Sequence, residues 1–216
     1  MGVYLAGDSY PRDIHIEHAI QSRTAPIFSR WCSHQDIVDR FPEEKSARGV
    51  ERRLAALRDI IRDCKTARHT VLFGRSSGWR VATPFAASHS VKAVICLGYP
   101  FRIPRNPIEP ARYQHLAEID VPTLILQGRA DEYGGSSITL DYQFSKRVVV
   151  RLWDCDHEFC VREALGTRLP PRYPSSSLRS TVHPCLNGCA VLCTAALFNP
   201  VQSTLACHHH PIPVAP

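Results

Sequence analysis

From Thr70 onward the chain alternates short, almost wholly apolar runs with mixed segments of helical period. The runs are TVLFG ending at Gly74, VKAVICLG ending at Gly98, VPTLILQG ending at Gly128 and RVVVRLW ending at Trp153. Apolar side chains in consecutive positions are what a sheet covered on both faces demands. Their alternation with helical segments is the pattern of parallel strands joined by crossovers. Residues 77–87, 109–118, 136–144 and 158–165 are the predicted helices, with Pro84 expected to bend or shorten the first. Ahead of them a helix is predicted over 46–63. There Val50, Leu54, Leu57, Ile61 and Cys64 return at steps of three or four, and Glu51, Arg52, Arg53, Arg58 and Asp59 fill the other face. The expectation is an α/β fold with four parallel strands and helices on both sides.

The two ends of the chain read differently. In residues 1–45, Pro11, Pro26 and Pro42 interrupt short mixed runs such as IHIEHAI and APIFSRW, and no strand is predicted. After Leu165 the alternation stops at LPPRYPSSS, whose Pro and Ser density favours irregular chain. The division expected is therefore a poorly defined segment 1–45, a core 46–165 and a largely irregular tail 166–216, with one apolar run at 185–198 able to form a helix.

Composition sharpens that division. The 216 residues have room for one ordinary domain, 44% of them are apolar, and the net charge is only +6. Residues 166–216 contribute three arginines and no carboxylate, with 8 of the 17 prolines and 4 of the 9 cysteines. No run approaches the roughly 18 consecutive apolar residues of a membrane span. The opening MGVYLAGDSYPRD has carboxylates and a proline where a secretory leader needs its apolar segment. A soluble cytoplasmic protein with mostly reduced thiols is expected.

Candidate chemistry begins at Gly74-Arg75-Ser76-Ser77-Gly78, which directly follows one apolar run and precedes a helical segment. In that context G-x-S-x-G is a tight strand-to-helix turn that lifts a serine hydroxyl above the sheet. Ser76 is the candidate nucleophile, and the backbone N–H of Ser77 can hold a developing oxyanion. A serine hydroxyl needs an imidazole base, which needs a carboxylate to fix its tautomer. His157 follows Trp153 by four residues, and Asp131 follows Gly128 by three. In an open parallel sheet such strand ends share one edge. A capping role for Asp131 and a surface place for His157 are the plainer readings. Asp154 and Asp156 compete as partners of His157, although near neighbours in sequence rarely present side chains in the needed geometry.

The stretches LFGRSSGWRVA, AVICLGYPFRIPRNP, HLAEIDVPTLILQGRADEYG and DCDHEF, within about 68–163, resemble the alpha/beta-hydrolase superfamily. The likeness is to its small dienelactone-hydrolase-like branch, which includes testis-expressed protein 30. It implies a three-layer fold with a mostly parallel sheet, a nucleophile at Ser76, an acid at Asp131, a base at His157, and Tyr99 and Pro100 lining the segment after the next strand. Several earlier strands and a turn supplying a second oxyanion donor are also implied. In 1–67 only Gly7 and Asp8 mark such a loop, so the sheet is expected to be incomplete on its N-terminal side.

The function expected is hydrolysis of a small ester or related acyl substrate, without metal or cofactor. Its rival is a hydrolase-like protein-interaction module that has lost turnover. Arg75, Arg80, Arg102 and Arg105 would attract a carboxylated substrate unless they are simply solvated surface charges. Cys185, Cys189 and Cys193 recur every four residues near His183 and His208–His210, but lack the paired spacing of a structural zinc site. Interspersed carboxylates argue against nucleic-acid binding, and no membrane association is expected.

Overall fold

The computed structural model describes residues 1–40, 49–65 and 67–159. The tail 166–216, with its cysteines and histidines, lies outside them, as does almost all of the helix expected at 158–165. In chain order the described elements are β1 (Gly2–Leu5), α1 (Ile14–Thr24), β2 (Trp31–Cys32), α2 (His34–Val38), α3 (Val50–Cys64), β3 (Val71–Arg75), α4 (Trp79–Ser88), β4 (Ala93–Leu97), β5 (Thr123–Gly128), α5 (Ile138–Asp141) and β6 (Val148–Trp153).

The six strands form one sheet in the order β2-β1-β3-β4-β5-β6, and every neighbouring pair is parallel. Because side chains alternate between faces, each apolar strand feeds two cores. Val3, Leu5, Leu72, Val94, Cys96 and Ile125 point to one side, where Leu54 and Leu57 of α3 and Val81 and Phe85 of α4 cover them. Tyr4, Val71, Phe73, Ile95, Leu97, Leu124 and Leu126 point to the other, where Ile16, Ala19 and Ile20 of α1 pack. This three-layer α/β arrangement is the one the apolar runs predict.

All four expected strands are present, and the sheet has two more. β1 and β2 fill the N-terminal side, where the sequence reading expected the sheet to be incomplete. β1 is only four residues long and is completely buried between β2 and β3, so it lacks the length and alternation that mark a strand. Helix α1 escapes a periodicity reading because its buried stripe includes Glu17. A capping box starts α2, with Asp36 N–H donating to Ser33 Oγ and Ser33 N–H to Asp36.

Two expected helices are reduced. The 109–118 segment forms the 3-10 turns Pro110–Arg112 and Gln114–Ala117, and 136–144 forms only α5. Pro84, by contrast, is accommodated inside α4, which runs to Ser88. No helix among the described residues is long and apolar enough to cross a membrane.

Helix α4 begins close against β1. A Cβ on Gly78 would lie 1.9 Å from the carbonyl oxygen of Leu5, which leaves no space for any side chain. Gly78→Ala is expected to destabilise the protein by about 3 kcal/mol or more, as overpacking against backbone does. Urea denaturation measures the loss; an unchanged midpoint would show that α4 does not seat on β1 in this way.

Candidate active site

Ser76 follows β3 immediately, with φ at +46°. Few residues other than glycine adopt this left-handed conformation, and it is held here by the strand on one side and the start of α4 on the other. The turn projects the hydroxyl beyond the C-terminal edge of the sheet. At the same edge, the backbone beyond β5 and β6 stays joined: Arg129 N–H donates to Trp153 O at 2.7 Å and Ala130 N–H to Cys155 O at 3.0 Å. These bonds carry Asp131 and His157 toward each other.

The three side chains form one hydrogen-bonded line. His157 Nε2 lies 3.0 Å from Ser76 Oγ, and His157 Nδ1 lies 2.8 Å from Asp131 Oδ2. Asp131 also accepts from Gln127 Nε2 at 2.6 Å and from the Tyr133 N–H at 2.8 Å. A carboxylate that only accepts puts the imidazole proton on Nδ1 and leaves Nε2 with its lone pair toward Ser76. Asp154 instead pairs with Arg129 at 2.9 Å, while Asp156 Oδ1 accepts the Glu158 N–H. The carboxylate on Nδ1 is therefore that of Asp131.

Gln127 is a site residue that the sequence reading passed over. Fully buried at the end of β5, it accepts from Tyr99 N–H through Oε1 and donates to both Asp131 and Gly134 O. Its signal was a lone amide inside the apolar run VPTLILQG. Tyr99, which the resemblance places in the segment after β4, is also fully buried. Its hydroxyl donates to Arg112 O and its ring stacks on Trp79 at 4.7 Å, so it belongs to the core. Tyr133 is the aromatic neighbour of His157, with ring centroids 4.5 Å apart.

The loop after β1 reaches the same place. A Cβ on Gly7 would stand 2.8 Å from Ser76 Cβ and 3.3 Å from the Ser77 nitrogen. Buried side chains anchor both sides of the preceding residue: Ala6 N–H donates to His34 Nδ1 at 3.2 Å, and Arg53 donates to Ala6 O at 2.9 Å. His34 N–H in turn donates to the Glu17 carboxylate, as does Trp31 Nε1. The chain from α1 to the Gly7 loop is thus continuous.

Of the four arginines considered for substrate attraction, Arg80, Arg102 and Arg105 are exposed and Arg75 is fully buried. Its guanidinium lies within the fold, so it is not a solvent-facing charge. A separate cavity of about 590 Å³, lined by Arg58, Arg62, Lys65, Arg68 and Phe85 among others, lies at the opposite edge of the sheet from Ser76. Among the described residues, no group of three or more His, Cys, Asp or Glu is arranged to hold a metal ion.

A protein-family model described as an alpha/beta hydrolase domain matches residues 38–173. Among solved structures, the esterase domain of a Rhodothermus marinus protein superposes with a TM-score of 0.55 at 12% identity, covering 91% of this chain and 86% of that one. An alpha-beta serine hydrolase homologue from Coxiella burnetii gives a TM-score of 0.50 at 15% identity, with 73% and 76% covered. At such identities the likeness is one of fold. No curated protein matches the chain in sequence.

Burial pushes the Glu17 carboxyl up to about 7, against the opposing pull of its bonds from Trp31 and His34. Between about 4.5 and about 7 the folded protein keeps a proton that the unfolded chain has released, so stability falls as pH rises through this window, by up to about 3 kcal/mol. Glu17→Gln is expected to remove that fall. Denaturation midpoints of both proteins at pH 4.5 and pH 8 test it, and parallel pH dependences would refute the assignment.

Proposed function

Because the chain belongs to the alpha/beta hydrolase domain family, we propose that it is a serine hydrolase cleaving small esters or related acyl compounds, with Ser76 as nucleophile, His157 as base and Asp131 as orienter. The observation that carries this reading is the unbroken line of hydrogen bonds from Ser76 Oγ through the imidazole to Asp131. The likeness of LFGRSSGWRVA and the later stretches to the alpha/beta-hydrolase superfamily supports the reaction class rather than a particular acyl group.

The mechanism follows from the proton positions. Ser76 Oγ attacks the acyl carbon as its proton passes to His157 Nε2, and the carbonyl π electrons move onto oxygen. The Ser77 N–H is one oxyanion donor, and the Gly7 loop supplies the other, since it packs directly on Ser76. Collapse of the tetrahedral intermediate expels the alkoxide, which takes the proton from Nε2. Water then gives its proton to Nε2, attacks the acyl carbon, and the acid leaves as Ser76 regains a proton. Asp131 remains a carboxylate throughout and stabilises the imidazolium. No cofactor enters these steps.

The alternative of an inactive interaction module rested on missing early strands. β1 and β2 occupy that side of the sheet, and with them comes the loop at Gly7.

An alkyl fluorophosphonate is expected to label the protein once, at Ser76. Ser76→Ala should abolish labelling, and His157→Ala should lower kcat/KM on short p-nitrophenyl esters by about 10³-fold or more. Gly7→Ala keeps its N–H but adds a Cβ that would stand 2.8 Å from Ser76 Cβ and push the loop away, which should cost about 10²-fold, mostly in kcat, as a displaced oxyanion donor does. Labelling that persists in Ser76→Ala, or no turnover across acetyl to octanoyl esters, would sink the proposal.

A further inference from the structure

Arg75 occupies the first of the two variable positions of G-x-S-x-G and is completely buried beneath the imidazole. Its Nη1 lies 3.2 Å from His157 Nε2, the nitrogen that also faces Ser76 Oγ at 3.0 Å. Nη2 lies 3.1 Å from Glu158 Oε2, and Nε is 3.7 Å from Asp13 Oδ2. The guanidinium also sits 5.6 Å from the Phe159 ring centroid. Two carboxylates of unlike exposure thus hold one cation: Asp13 is 4% exposed and Glu158 is 54% exposed. Burial raises the Asp13 carboxyl while Arg75 draws it back down.

A neutral imidazole has a single lone pair on Nε2, directed in the ring plane. Two donors, the serine hydroxyl and an arginine N–H, approach that one acceptor. The conflict grows when the serine proton moves. Nε2 then bears a hydrogen, and Nη1, which has only hydrogens to offer, faces another donor and another positive charge at hydrogen-bond distance. Water cannot screen the encounter at a buried position.

The backbone at Gly98 makes room for Arg75. Gly98 has φ at +63°, and a Cβ there would stand 2.7 Å from Nη1 and 3.3 Å from the imidazole. Glycine at this position is what lets the guanidinium pass under the ring.

We propose that Arg75 is a positioning residue that acts through His157 as a latch, sharing the Nε2 lone pair at rest and so opposing proton transfer from Ser76, with Glu158 setting how strongly it leans on the ring. The inference rests on the serine-hydrolase reading of the site. Glu158 draws the cation outward by a charge-assisted bond. Removing that carboxylate turns the guanidinium more fully onto Nε2; removing the cation releases the ring.

The test compares rates of fluorophosphonate labelling at one pH. Glu158→Gln, at a partly exposed and therefore screened side chain, is expected to slow labelling of Ser76 by about fivefold to tenfold, the scale of one ordinary hydrogen bond. Arg75→Met combined with Asp13→Asn removes the buried charges together and is expected to speed it by a similar factor. A purely structural Arg75 gives the opposite pattern: the double variant loses activity and Glu158→Gln changes nothing. That pattern would overturn the latch, with circular dichroism confirming that each variant is folded.

A second measurement needs neither turnover nor Arg75 variants. In Ser76→Ala the arginine is the remaining donor to Nε2, so the ¹⁵N resonance of that nitrogen is expected to shift on adding Glu158→Gln. An unmoved resonance refutes the latch. If unmodified protein is never labelled but this resonance moves, the hydrolase reading fails and the contact between Arg75 and His157 stands.

Discussion

The parallel pairing of β5 with β6, in register from Thr123 and Val148 to Gly128 and Trp153, is the constraint from which the rest of the site follows. Two strands that run the same way and end together release their loops at one edge. The ladder continues past the strand ends through Arg129 and Ala130, so Asp131 and His157 meet although 26 residues separate them. β3 is two strands away in the same sheet, and its end places Ser76 at the same edge. Antiparallel pairing would send one of these loops to the opposite edge. The convergence is a property of the sheet before it is a property of the side chains.

What the sheet brings together, buried polar groups hold in orientation. Gln127 secures Asp131 from below, and His34 and Arg53 secure the peptide groups flanking the Gly7 loop. Each is buried and spends its hydrogen bonds on a backbone or carboxylate group that would otherwise be unsatisfied. Such groups cost more to misplace than an apolar contact, because a shifted partner leaves a buried donor or acceptor without a bond. The site is therefore built on directional contacts at both ends: Asp131 through β5, and the loop at Gly7 through α1, α2 and α3.

The central sheet was legible because its strands are buried on both faces and read as continuous apolar runs. Ser76, Asp131 and His157 were legible because each follows such a run at short distance. The N-terminal strands were not. GVYL is too short to show a period, WC shorter still, and α1 conceals its inner face by burying a carboxylate. Chemistry outside the fixed letters of the signature was harder again. Gln127 shows locally only as a lone amide in an apolar run, which does not reveal its partners, and Arg75 reads as surface charge until Gly98, 23 positions later, is seen to leave it room. These residues owe their roles to partners distant in sequence.

A signature such as G-x-S-x-G is written with blanks where residues are free to vary, and the blank before the serine is usually passed over. Here that blank is filled by a cation enclosed by the protein interior, bracketed by two carboxylates and touching the imidazole of His157. A letter that the pattern discards thus meets the imidazole, two carboxylates and an aromatic ring. Two proteins sharing the same glycines and serine can therefore differ in what lies against the histidine beside that serine, and a classification that reads only the fixed letters would group them as equals.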